Sequence, residues 1–115
     1  MRGASLSQVA GLIGRLLHAC RITLFSRDDC GLCAQAKDVL SNVWDKRPFH
    51  YTEVNLAKTE FKHWRSLYDF DIPVIHISKA EIGEEDIGKV GKAVKLMHRF
   101  TAEQVEAKMN QVEDA

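Results

Sequence analysis

Cys30-Gly31-Leu32-Cys33 is the segment whose residue types and spacing carry reactive chemistry. The thiolate is the nucleophilic form of cysteine. It is stabilised where a helix begins, because backbone N–H groups there are unpaired and the helix end carries partial positive charge. Cys30 falls at such a point, after a strand-like run and before a helix-like one. Cys33 lies one turn further in, on the same side. Two intervening residues leave its sulfur close enough for the short S–S bond, so Cys33 can attack a mixed disulfide formed at Cys30 and release a reduced substrate. Gly31 removes bulk beside the first sulfur and lets a docked backbone approach. The other reading of such a pair is structural, or half of a metal site. A metal ribbon needs a second ligand pair, and no second Cys-x-x-Cys exists. Cys20 stands alone, and a solitary thiol is inert unless something lowers its pKa.

The neighbours of the pair pull in opposite directions. Asp28 and Asp29 would raise the Cys30 pKa and Arg27 would lower it. The two acids also suit a turn. His50, His63, His76 and His98 can be imagined as metal ligands with the thiols. A satisfied structural role is the expectation, with His76 and His98 on adjacent strands facing a partly buried layer. Trp44 and Trp64 fall on helix faces and read as core or near-core anchors.

The elements that must position these residues follow from hydrophobic periodicity. Residues 21–26 alternate and predict a strand. Leu32, Cys33, Ala36, Val39, Leu40, Val43 and Trp44 recur at helical spacing over 31–44. Pro48 breaks the chain, and residues 49–54 predict a second strand. Thr59 can cap a helix whose apolar face is Phe61, Trp64, Leu67 and Tyr68. Asp71-Ile72-Pro73 stops it. Residues 74–77 predict a third strand and 92–98 a fourth. Between them, residues 79–92 hold three glycines and seven charges and read as an exposed loop. Thr101 and Gln104 have capping-box spacing, opening a last helix that buries Val105, Met109 and Val112. The order is β-α-β-α-β-β-α. A strand-helix-strand start predicts two parallel strands, and the loop at 79–92 predicts an antiparallel last pair. The expected fold is therefore α/β, a four-stranded mixed sheet with three helices covering both faces.

Composition bounds the function classes. The chain has 115 residues, 45% hydrophobic and 28% charged, which suits one domain with one modest core. Lys+Arg 16 balances Asp+Glu 16, which argues against a general nucleic-acid binder. No apolar run reaches the roughly 18 residues of a membrane span. Residues 1–20 carry Arg2 and Arg15, no acid, and apolar residues at helical spacing. That pattern reads as a mitochondrial targeting segment, or else as the N-terminal extension of a cytoplasmic protein.

The run Leu24-Phe-Ser-Arg-Asp-Asp-Cys30-Gly-Leu-Cys33, with Asp71-Ile-Pro-Val-Ile-His76 and Met97-His98-Arg99, resembles the small glutaredoxin-like family of the thioredoxin-fold superfamily. The resemblance spans residues 21–112, with 79–92 as a loop insertion. It implies a thiol–disulfide oxidoreductase in which Cys30 is the nucleophile and Cys33 the resolving thiol. Pro73 would be a cis-proline facing the pair, and the Ile72 backbone would pair with bound peptide or glutathione. Arg27 falls where many relatives place a lysine for a glutathione carboxylate, and Gly31 and Leu32 complete the substrate surface. Glutathione would serve as reductant, with no bound cofactor and no metal. The partner would be a disulfide-containing protein or glutathione, and the chain a monomer that contacts neither nucleic acid nor membrane. The sequence departs from the glutaredoxin pattern at Asp71, where threonine is usual, and at Arg99-Phe100-Thr101, which stands for a Gly-Gly-Asp turn. Leu32 replaces an aromatic residue. Two other readings are a redox-inactive docking module, using loop 79–92 and the final helix, and a metal or iron–sulfur carrier using Cys30 across a dimer.

Overall fold

A computed structural model describes residues 19–115. Strand β1 (Cys20–Ser26) leads to helix α1 (Gly31–Lys46) and strand β2 (His50–Asn55). A 3-10 turn (Thr59–Phe61) runs into helix α2 (Lys62–Tyr68). Strand β3 (Val74–Lys79) follows, then 3-10 turns at Ala80–Ile82 and Ile87–Lys92, strand β4 (Val94–Met97) and helix α3 (Ala102–Asp114). The sheet order is β2-β1-β3-β4. β1 runs parallel to β2 and antiparallel to β3, and β4 is antiparallel to β3. Element order and strand directions are those the sequence predicts. The targeting-segment reading rests on residues that, up to 18, lie outside the described part. Cys20 lies inside it, as the first residue of β1 and the register partner of Lys79.

Side chains alternate across the sheet and make two apolar layers. Ile22 and Leu24 of β1 join Ile75 and Ile77 of β3 on one face, under Ala36, Leu40 and Val43 of α1 and Val105, Met109 and Val112 of α3. Phe25 and Val74 face the other way, with Val54, Leu56 and Tyr68 of α2. The capping box of α3 forms with both bonds: the Gln104 N–H donates to Thr101 Oγ1 at 3.1 Å, and the Thr101 N–H to Gln104 Oε1 at 2.8 Å. It satisfies donors that the first turn of a helix otherwise leaves free.

Several local expectations are corrected. Thr59 does not cap α2; it begins the 3-10 turn, and Lys58 precedes it with no side-chain cap. The Arg65 side chain holds that turn instead, donating to the Leu56 and Lys58 carbonyls at 2.6 and 3.1 Å. Helix α2 has seven residues, so its buried stripe is narrow: Tyr68 is buried, Trp64 half-buried, and Leu67 is 41% exposed. Trp44 is 45% exposed rather than in the core, anchored by its indole N–H to the Phe49 carbonyl at 3.1 Å. β4 is shorter than the apolar run suggests, and His98 lies beyond it, exposed, in a left-handed conformation with φ 65°. Residues 79–92 begin within β3, and part of the segment folds inward, with Val90 packed against the second layer.

Candidate redox site

The site begins where β1 runs out. Ser26 is buried and its hydroxyl donates to Glu53 Oε2 at 3.0 Å, which fixes the strand end. Glu53 also accepts from Tyr51 at 2.9 Å and pairs with Lys37 of α1 at 2.9 Å. Burial alone would raise its pKa, but the bonds from Lys37, Tyr51 and Ser26 hold it below the ordinary value. The chain then turns through Arg27, Asp28 and Asp29. Asp29 takes φ 58°, a conformation aspartate tolerates better than most residues, so it serves the turn. Asp28 Oδ1 accepts from the Asn55 amide at 3.4 Å, linking that turn to the end of β2.

Cys30 is the N-cap of α1, with extended backbone, and its Sγ accepts from the Cys33 N–H at 3.1 Å. The sulfur thus occupies the place of an N-cap oxygen, against an unpaired helix donor. Cys30 is half-buried, whereas Cys33 is 2% exposed. The two are joined as a disulfide with Cα atoms 5.2 Å apart. A Cβ built on Gly31 would meet nothing within 4 Å, so no internal packing demands a glycine there. Leu32 is half-buried beside it.

The second side of the site comes from the start of β3. Phe25 of β1 is the register partner of Val74, which sets Pro73 level with Ser26 at the sheet end from which the Cys30 loop departs. The Ile72–Pro73 peptide is cis, as the resemblance implies. Pro73 is buried, and its carbonyl accepts from the His98 N–H at 2.7 Å. Ile72 is half-buried against the second layer. Before it, the turn Asp69-Phe70-Asp71 leaves Phe70 95% exposed. Asp71 Oδ1 stands 3.9 Å from His98 Nε2. Arg27 pairs with Asp69 at 3.0 Å, joining the loop before Cys30 to the turn before Pro73. The guanidinium proposed for a glutathione carboxylate therefore already faces a carboxylate of the chain itself.

A group of polar side chains nearby escapes sequence reading. His76, 1% exposed, bonds the Tyr68 hydroxyl through Nε2 at 2.6 Å and Glu85 through Nδ1 at 2.5 Å. Both ring nitrogens are thus engaged, and the donor and acceptor roles in the two bonds follow the ring's tautomer. The satisfied structural role expected of His76 and His98 holds for His76 alone; His98 is exposed beyond β4. The partners of His76 arrive from α2 and from residues 79–92, and no local spacing announces them. Burial, with the charges of Glu85 and Asp71, pushes the Tyr68 pKa up to about 12.

Cys20 lies apart from the pair, buried, with its Sγ 3.3 Å from Glu113 Oε2. Burial, the bond to Glu113 and that carboxylate's charge push its pKa up to about 12, against a smaller opposite pull from Arg47. Burial and the raised pKa both disfavour its thiolate, the reactive form. Among the described residues, no group of three or more His, Cys, Asp or Glu side chains is placed to hold a metal ion, and no helix is long and apolar enough to cross a membrane.

Solved structures with the same architecture include several thioredoxins. Chloroplastic thioredoxin z superposes with a TM-score of 0.61 at 18% identity, over 95% of this chain and 90% of that one. Thioredoxin O2 from Arabidopsis thaliana, in its oxidised state, gives 0.56 at 12% identity, over 92% and 87%. Mitochondrial thioredoxin 3 from Saccharomyces cerevisiae, also oxidised, gives 0.53 at 14% identity, over 96% and 90%. At such identities the likeness concerns the fold. The sequence itself matches the model of the glutaredoxin-like domain (DUF836) over residues 21–110, from β1 into α3. With the close cysteine pair at the head of α1 and Pro73 opposite the strand that leads to it, this match settles the affiliation: the chain, which has the thioredoxin fold, belongs to the glutaredoxin-like domain family.

Proposed function

We propose that the protein is a thiol–disulfide oxidoreductase acting through Cys30 and Cys33. The observation that carries this reading is the Cys30 sulfur capping α1, with Cys33 buried directly behind it. In the reduced protein the Cys30 thiolate attacks one sulfur of a substrate disulfide. The substrate S–S bond breaks, a mixed disulfide forms and one substrate thiolate leaves. Cys33 then gives up its proton and attacks the Cys30 sulfur. The Cys30–Cys33 bond forms and the second substrate thiol is released, so the substrate gains two electrons and the pair loses them. A thiol reductant such as glutathione returns the pair to the dithiol. Pro73, Ile72, Gly31 and Leu32 surround the pair as the surface on which a substrate backbone would lie.

Equilibration in a series of glutathione redox buffers, thiol trapping with a maleimide after unfolding, and intact mass measurement test the proposal. Reduced protein should carry three labels, and oxidised protein the single label of Cys20. Cys30→Ser should abolish disulfide reduction, and Cys33→Ser should accumulate a mixed disulfide. Equal activity in both variants, or a pair that stays reduced across the series, would overturn the mechanism and favour a docking role for the fold.

A further inference from the structure

We propose that this site selects protein disulfides flanked by basic residues and an apolar side chain over glutathione disulfide. The inference rests on the oxidoreductase reading above and names its substrate class. The chain as a whole balances its charges, but the segments that frame the cysteine pair do not. Arg27–Cys30, Asp69–Pro73 and His98–Arg99 together carry four carboxylates, Asp28, Asp29, Asp69 and Asp71, and two guanidiniums, Arg27 and Arg99. Asp69 and Arg27 neutralise each other. Asp28 and Asp29 stay exposed directly before Cys30. Asp71 is partly exposed directly before Ile72 and Pro73, where a substrate backbone would lie. Glutathione disulfide carries more carboxylates than ammonium groups, so this rim repels it. The guanidinium suited to hold it is already paired. A substrate with lysine or arginine beside its cysteine meets the opposite field. Phe70 adds the apolar part: its ring stands 95% exposed between Asp69 and Asp71, in the turn that Arg27 ties to the Cys30 loop. Among the described residues no packing covers that ring, whereas a docked apolar side chain would.

The test uses the full, reduced protein and follows oxidation of its pair by quenched thiol trapping. The probes are disulfide dimers of the peptides Lys-Phe-Cys-Lys, Lys-Ala-Cys-Lys and Glu-Phe-Cys-Glu, glutathione disulfide, and neutral hydroxyethyl disulfide. Each rate is divided by that of the same probe with dithiothreitol, which removes intrinsic reactivity. At low salt the Lys-Phe probe should exceed the Glu-Phe probe and glutathione disulfide by about tenfold or more, the scale of electrostatic steering. The gap should narrow as salt rises. Asp71→Asn and Asp29→Asn should each lower the ratio, asparagine at 29 keeping the left-handed turn accessible. Phe70→Ser should slow the Lys-Phe probe more than the Lys-Ala probe. Equal normalised rates, glutathione disulfide as the fastest oxidant, or a ratio untouched by both neutralising variants would overturn the selectivity. If even hydroxyethyl disulfide leaves the pair reduced, the oxidoreductase reading itself falls, and the selectivity with it.

Discussion

The Tyr68 hydroxyl and His76 Nε2 share a 2.6 Å hydrogen bond in the layer between α2 and the sheet, and Glu85 holds the other ring nitrogen. One buried imidazole thereby links helix α2, strand β3 and the segment 79–92. Tyr68→Phe keeps the ring but leaves Nε2 unpaired in a dry site. We expect a loss of about 1–3 kcal/mol, read as a lower denaturant midpoint at unchanged slope. Glu85→Ala should cost less globally yet speed proteolytic cleavage between residues 80 and 92. Resistance to cleavage in that variant would show that the segment is held by something else.

The three cysteines should differ sharply in reactivity. After reduction, iodoacetamide at pH 8 should label Cys30 first, because the residue is half-exposed and its sulfur is capped by a backbone donor. Cys33, at 2% exposure, should follow slowly. Cys20, with its pKa pushed up to about 12 and no access to solvent, should react only on unfolding. Peptide mapping over a time course gives the order, and early labelling of Cys20 would contradict its placement under α3.

The titrating groups predict a stability profile with two flanks. Glu53 has a folded pKa below its ordinary 4.5, so its contribution is present above that value and is lost as pH falls through the lower, folded one. The pair with Lys37 is partly exposed, so about 0.2–1 kcal/mol is at stake. Glu53→Gln should flatten the acid flank. On the alkaline side, Cys20 rises from 9.0 to about 12 and Tyr68 from 10.0 to about 12. Raised folded values mean the unfolded chain releases these protons first, so stability should decline from about pH 9 upward. Cys20→Ala should move the onset of that decline towards pH 10. Urea melts at stepped pH read both flanks.

Gly31 separates stability from substrate access. An added methyl meets no atom within 4 Å, and alanine is the better helix former, so Gly31→Ala should leave stability unchanged or raise it by up to about 1 kcal/mol. Reduction of a protein disulfide should nevertheless slow if a substrate backbone passes over this position. A stabilised variant with unchanged turnover would remove Gly31 from the docking surface.

What the sequence makes legible are features written in local spacing. Cys30 and Cys33 flank a strand-to-helix junction, Thr101 and Gln104 stand a capping box apart, and Val105, Met109 and Val112 mark one helical stripe. The architecture followed because alternating strands and a strand-helix-strand start leave few topologies. Interactions between distant elements were not legible. Arg27 with Asp69, and His76 with Tyr68 and Glu85, are unions of residues whose own neighbourhoods read as ordinary surface or core. The 79–92 segment looked wholly solvated because its charges dominate its composition, although Glu85 and Val90 are turned inward. Leu67 and Trp44 erred the other way: helical spacing named them as apolar-face residues, but a short α2 and the outer side of α1 leave them exposed.

The capping role of Cys30 also decides how its removal is to be interpreted. Serine is among the favoured residues at that helix position, since its oxygen can accept the same Cys33 N–H that the sulfur accepts. Cys30→Ser therefore deletes the nucleophile while preserving the architecture that displayed it. Cys30→Ala deletes both, at a further cost of about 0.5–2 kcal/mol in helix anchoring. The difference between these two variants isolates what the sulfur contributes as a scaffold atom from what it contributes as a reagent.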